Sequence, residues 1–211
     1  MTEQSYVQGT MESYLDELAG ADPEPGGGSA AALVGALGAA LVTMVANLTL
    51  GKEKYAGFQN AVFAIKERSE QLRGELGELV TLDARAYGAV AVAMKLPRDT
   101  ESDKVERDRA LQAALIGAAE IPLRVAEAAM EVARLSLQAA EKGNLNAVSD
   151  AGVAATLADA AAQSAALNVK INLSWIMDED FKRDTWRRIE AALSETARLR
   201  GLVVSLAYSK I

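Results

Sequence analysis

The sequence predicts an all-α protein, a single-domain bundle of long helices packed around a central, buried helix rich in alanine and glycine. Three observations carry that expectation. The 21 residues from Ala30 to Leu50 contain no charge and read as a helix apolar on every side. Long stretches beyond it repeat their apolar residues at three- and four-residue spacing. No segment alternates convincingly as a strand, and no Pro/Gly/Ser linker divides residues 1–211.

The elements follow in order. A first helix is expected over about Ser5 to Leu18, with Tyr14, Leu15 and Leu18 on one side. Ala21 to Gly28 reads as a rigid loop containing Pro23 and Pro25. Ser29 is a natural N-cap for the second helix, and Gly51 a natural C′ residue. A third, amphipathic helix runs from about Tyr55 to Met94, where Pro97 stops it. The fourth spans about Glu101 to Glu141 before Gly143, and Pro122 inside it predicts a kink or a break. Asn144 to Asp150 connects to a helix over about Ala151 to Met177. The last helix begins near Asp180, with Trp186, Ile189, Leu193 and Ala197 at helical spacing. Gly35, Gly38, Ala39 and the alanines of 151–166 form small-residue faces. Such faces let helix backbones approach closely, within the subunit or across a dimer.

The central segment is long enough to span a bilayer. Its Ala/Gly content and its Thr43, Asn47 and Thr49 make it a weak partner for lipid. The nearest second candidate, Ala151 to Val169, contains Asp159 and Gln163. Glu3, Glu12, Asp16 and Glu17 stand where a signal peptide needs basic residues. The expectation is therefore a helix buried by protein, with no membrane partner.

Composition narrows the chemistry. Apolar residues make up 50% of the chain but aromatics only 5%, so the core is filled by Ala, Leu and Val. A net charge of −7 argues against a nucleic-acid partner. The absence of cysteine leaves no disulfide framework and agrees with a cytoplasmic location. Without histidine or cysteine, Cys/His zinc sites and Ser-His-Asp or Cys-His nucleophiles are excluded. Acid–base work must fall to Asp, Glu, Lys or Tyr.

Asp83 stands in the apolar stripe Leu76, Leu79, Val80, Ala86, Tyr87, Val90 and Met94, where a carboxylate is costly unless paired or functional. Asp150 follows Asn144, Asn146 and Ser149 at a helix start, which suits either plain capping or the reading of a polar ring. Gly26, Gly27, Gly28 and Ser29 precede a helix N-terminus, an anion-binding geometry, or else a tight turn passing close to another helix. The run lacks the Lys-Ser/Thr ending of a phosphate loop. Lys52 and Lys54 lie just past a helix C-terminus, where positive charge is favourable and an anionic tail would be attracted. Asn168 and Asn172 lie one turn apart among apolar residues and need partners from other helices or from a ligand. The mixed charges of Arg98 to Arg109 read as a solvated face.

Several of these blocks carry a resemblance. PGGGSAAALVGALGAALVTMVANLTLGKEKY, LDARAY around Asp83, KLPRDT around Pro97 and EKGNLNAVSDAGVAA…SAALNVKINL resemble the cyclodeaminase/cyclohydrolase family, in order, over about residues 10–180. That family comprises the cyclodeaminase half of formiminotransferase-cyclodeaminase and the stand-alone methenyltetrahydrofolate cyclohydrolases of bacteria. The resemblance implies an all-helical homodimer acting on the one-carbon unit of a tetrahydrofolate derivative, with no metal or cofactor beyond the folate itself. On that footing Asp83 and Asp150 take the catalytic carboxylate roles. Asn146, Asn168 and Asn172 orient the ring, while Gly27, Gly28, Ser29, Lys52 and Lys54 meet the substrate. The stand-alone length and the EKGNLN…SDAGVA block favour cyclohydrolase; cyclodeaminase is the alternative, and a non-catalytic folate-binding bundle the rival of another class.

Overall fold

The computed structural model describes residues 5–211, and among them every regular element is helical. The α-helices are α1 (Met11–Leu18), α2 (Gly27–Asn47), α3 (Gln59–Met94), α4 (Glu101–Lys142), α5 (Val148–Leu173) and α6 (Glu179–Lys210). Short 3-10 turns lie at Tyr6–Gln8, Glu53–Phe58 and Leu145–Ala147. Two of these replace the helical first turns expected near Ser5 and Tyr55.

α2 is the hub and packs on α3, α4 and α5, while α6 closes the bundle over α4 and α5. The small residues of α2 serve contacts inside the subunit. A methyl built on Gly35 would lie 3.1 Å from the Leu76 side chain of α3. One on Gly38 would lie 3.2 Å from the Ala154 carbonyl oxygen of α5 and 3.3 Å from Val132 of α4. Larger residues there would force the helices apart. α5 runs antiparallel to α2, since Ala154 faces Gly38, Ala161 faces Gly35 and Asn168 faces Gly27.

Three details of α2 differ from the sequence expectation. The N-cap is Gly26, and Ser29 lies inside the first turn. The helix ends at Asn47, while Gly51 sits further along in a left-handed turn (φ 73°) that donates its N–H to Gln59 Oε1 at 2.8 Å. Burial is also one-sided: Leu37, Met44 and Leu48 are 44%, 37% and 43% exposed. A charge-free sequence reports low polarity, but how many neighbours surround a helix is set by the packing.

α4 runs unbroken through Pro122, which is buried. Proline has no N–H to donate to the carbonyl four residues earlier, that of Ala118. Asn172 of α5 fills the gap, its Nδ2 donating to the Ala118 oxygen at 2.8 Å. A capping box between Thr100 and Asp103 starts α4, and Asp178 starts α6 by accepting the Phe181 N–H at 2.9 Å. Asp159, 4% exposed on α5, is satisfied by α6, where Arg200 Nε lies at 2.9 Å and the Thr196 hydroxyl at 3.1 Å.

Candidate active site

The first turn of α2 gathers one set of candidate residues. Its N-cap, Gly26, has no side chain to accept the free N–H groups of that turn. Asp83 reaches across from α3 instead and accepts the Ser29 N–H. A methyl on Gly28 would come within 2.5 Å of the Asp83 Cγ and Oδ2 atoms and closer still to Oδ1. Only glycine leaves room for the carboxylate here. The anion-binding terminus foreseen in the glycine run thus already holds a carboxylate of the protein itself.

Burial sets the acidity of Asp83, raising its pKa above the ordinary carboxylate value; the Ser29 N–H pulls it down and neighbouring Glu24 pushes it up again. Glu24 lies in the loop beside Gly88 of α3, and burial raises its pKa as well. Asn168 of α5 brings its amide within ordinary contact of Gly27, 3.6 Å from a methyl built there, and donates to the Ser164 carbonyl at 2.9 Å. Behind Ser29 stands Tyr14 of α1, 5% exposed, its hydroxyl 3.1 Å from Ser29 Oγ. Tyr6 packs edge-on against the Tyr14 ring at 5.9 Å.

A second set lies at the opposite end of α2. Asn144 takes the Thr49 hydroxyl as acceptor for its N–H at 2.8 Å, and its Nδ2 donates to the Leu48 carbonyl at 2.9 Å. Its Oδ1 accepts from the Asn146 N–H at 3.1 Å and from the Tyr55 hydroxyl at 3.4 Å. The Tyr55 hydroxyl in turn accepts the Leu145 N–H at 3.0 Å. These bonds clamp the Glu53–Phe58 turn onto the loop before α5. Exposed Lys52 and Lys54 therefore share one end of the bundle with exposed Asn146 and half-buried Asp150. Lys54 Nζ lies 5.6 Å from the Tyr55 ring centroid.

The expected residues thus fall into two groups. Asp83, Gly27, Gly28, Ser29 and Asn168 converge at the N-terminus of α2; Lys52, Lys54, Asn146 and Asp150 gather beyond its C-terminus. At 1.5 Å per residue, Asn168 and Asp150 are roughly 27 Å apart along α5. Within one chain the two aspartates do not meet. Asn172, one turn beyond Asn168 on α5, donates one amide N–H to the Ala118 carbonyl of α4. Tyr14 and Glu24, absent from the sequence expectations for the site, belong to it. Tyr14 is one of only five tyrosines, and a buried tyrosine hydroxyl calls for a polar partner.

Fold and site together define an all-helical protein with a half-buried carboxylate, Asp83, set against the glycine-rich N-terminus of its central helix. Among the described residues, no group of three or more Asp or Glu is placed to hold a metal ion. Residues 10–191 match the family described as formiminotransferase-cyclodeaminase. The chain is 42% identical to the methenyltetrahydrofolate cyclohydrolase of Methylorubrum extorquens, over 96% of this chain and 97% of that protein. It is 35% identical to the formimidoyltransferase-cyclodeaminase of Rattus norvegicus, over 96% of this chain but 37% of the rat protein. The crystal structure of formiminotetrahydrofolate cyclodeaminase from Thermotoga maritima matches with a TM-score of 0.87 and 31% identity, covering 96% of this chain and 98% of that one. The chain belongs to the formiminotransferase-cyclodeaminase family, as the sequence blocks around Gly28, Asp83 and Asp150 implied.

Proposed function

We propose that this protein is a cytoplasmic methenyltetrahydrofolate cyclohydrolase, converting 5,10-methenyltetrahydrofolate and water into 10-formyltetrahydrofolate. The end-to-end match carries the reading: the chain is 42% identical to a cyclohydrolase of which it covers 97%. A second reading, formiminotetrahydrofolate cyclodeaminase, is favoured by the similarly complete match to the Thermotoga maritima structure, at the lower identity of 31%.

The chemistry follows from Asp83. Ionised Asp83 takes a proton from water as its oxygen attacks the methenyl carbon between N5 and N10. A tetrahedral carbon bearing OH results. Asp83 returns its proton to N5 as the N5–carbon bond breaks, and loss of the hydroxyl proton leaves the N10-formyl group. Overall one water is consumed and one proton released. A carboxylate whose pKa is raised by burial suits both halves, because base and conjugate acid are then closer in energy near neutral pH. The cyclodeaminase reaction passes through the analogous carbon bearing NH2, so the same proton transfers would serve it. Gly27, Gly28 and Ser29 shape the floor of this site, and Asn168 offers its amide to the folate ring.

The proposed enzyme is a homodimer. The outer face of α2 carries Leu37, Met44 and Leu48, and α5 adds exposed Val153, Leu167 and Ile171. A two-fold axis packing α2 antiparallel on its copy would bring the Asp83 end of one subunit to the Lys52, Lys54, Asn146 and Asp150 end of the other. The site would then have its base, ring contacts and cations together. The double substitution Leu37→Asp/Met44→Asp is expected to give an inactive monomer with helicity intact; a wild-type monomer with full activity removes the dimer from this reading.

Incubation with 5,10-methenyltetrahydrofolate, followed by its near-ultraviolet absorbance, tests the activity. Hydrolysis no faster than in buffer, with the helices intact, would overturn the cyclohydrolase reading. Ammonia release from 5-formiminotetrahydrofolate would establish the second.

A further inference from the structure

The geometry points to Tyr55 as a positioning residue for substrate binding: its hydroxyl ties the turn beside Lys52 and Lys54 to the loop that carries Asn146, so that cations and amide meet one folate molecule as a preformed surface. The inference rests on the proposed reading that this end of α2 meets the substrate. The Glu53–Phe58 turn contributes no buried residue, so hydrogen bonds rather than packing hold it. Gln59 ties it to the end of α2, its Oε1 accepting the Gly51 N–H at 2.8 Å and its Nε2 donating to the Tyr55 carbonyl at 3.0 Å. Tyr55 ties it to the other side, where its hydroxyl accepts the Leu145 N–H at 3.0 Å and donates to Asn144 Oδ1 at 3.4 Å. Asn144 is a fixed anchor: it is 7% exposed, its N–H donates to the Thr49 hydroxyl and its Nδ2 to the Leu48 carbonyl. The same Oδ1 accepts the Asn146 N–H at 3.1 Å, so Tyr55 and Asn146 hang on one atom. Lys54 Nζ lies over the Tyr55 ring, 5.6 Å from its centroid, where the ring face attracts an ammonium. A turn already ordered needs no ordering when substrate binds, which favours affinity. Asp83 stands at the opposite end of α2, against Gly28, so the tether acts on binding and not on proton transfer.

Tyr55→Phe keeps the ring beside Lys54 and removes only the tether. In 5,10-methenyltetrahydrofolate hydrolysis, KM is expected to rise about fivefold, the size of one hydrogen bond between neutral groups, while kcat holds. Lys52→Ala/Lys54→Ala should raise KM as well. Tyr55→Phe added to that pair should raise it no further, because no cation is left to place and Asn146 stays held by Asn144. A merely structural residue would show the same effect in both backgrounds. In protein without substrate, the Leu145 amide of Tyr55→Phe should exchange with solvent about fivefold faster than in wild type. An unchanged KM in Tyr55→Phe, a fall in kcat alone, or an equal KM effect in both backgrounds overturns the role of Tyr55. Unchanged exchange at Leu145 overturns the tether itself. An unchanged KM in Lys52→Ala/Lys54→Ala overturns the lysines as substrate contacts, and the inference with them. Wild-type protein without hydrolytic activity instead overturns the proposed function, and the Leu145 exchange still decides whether Tyr55 holds the turn.

Discussion

Gly28→Ala tests the placement of Asp83 most directly, because the added methyl goes where the carboxylate already is. Ordinary contacts of a side-chain methyl begin near 3.4 Å, whereas here the Asp83 Cγ and Oδ2 would lie at 2.5 Å. The carboxylate or the helix end must retreat by about 1 Å, and a displacement of that size costs on the order of 100-fold in rate when it moves a catalytic group. The stability effect is smaller. Alanine gains about 0.5–1 kcal/mol over glycine in a helix, and overpacking costs about 1–3 kcal/mol, leaving a net loss of up to about 2.5 kcal/mol. Gly74→Ala on α3 is the control, since nothing lies within 4 Å of its added methyl. It should gain about 0.5–1 kcal/mol and leave the rate unchanged. The assays are methenyltetrahydrofolate hydrolysis and thermal unfolding by circular dichroism. A Gly28→Ala protein that hydrolyses at the wild-type rate and melts no lower than wild type refutes the reasoning.

Other predictions test the remaining links. Burial raises the pKa of folded Asp83 above its ordinary 3.8, so the folded chain binds this proton more tightly than the unfolded chain. Its contribution to stability is therefore fully present below that ordinary value and lost as pH rises through the raised one. Asparagine does not titrate, and the melting temperature of Asp83→Asn relative to wild type should climb as the pH rises above the ordinary carboxylate range; a constant difference contradicts the burial argument. Asn172→Leu should cost about 1–3 kcal/mol in denaturant unfolding by stranding the Ala118 carbonyl. Pro122→Ala restores an N–H for that carbonyl, so the same substitution should cost less in its background, and equal costs would show that Asn172 does not fill the gap.

The helical class, the order of the helices and the family were legible in the sequence because they rest on local signals. Apolar spacing, the charge-free run of Ala30 to Leu50 and the glycine run before it are properties of neighbouring residues. Asp83 was also legible, since a carboxylate in an apolar stripe is conspicuous wherever the helix lies. What Asn168 and Asn172 do was not. One turn apart and alike in sequence, one stands beside Gly27 while the other mends the helix around Pro122, and only the position of α4 separates them.

The same distinction governs the site. By itself the sequence determined the materials: a chain without histidine or cysteine whose proton chemistry must use Asp, Glu, Lys or Tyr, and a glycine run able to receive an anion. Tertiary structure decided which anion arrives there, because packing α3 on α2 sets Asp83 against Gly28 and half-buries it. It also decided that Asp150 and the lysines lie a full helix away, because α2 and α5 are rigid rods roughly 30 Å and 40 Å long whose ends cannot fold back on each other.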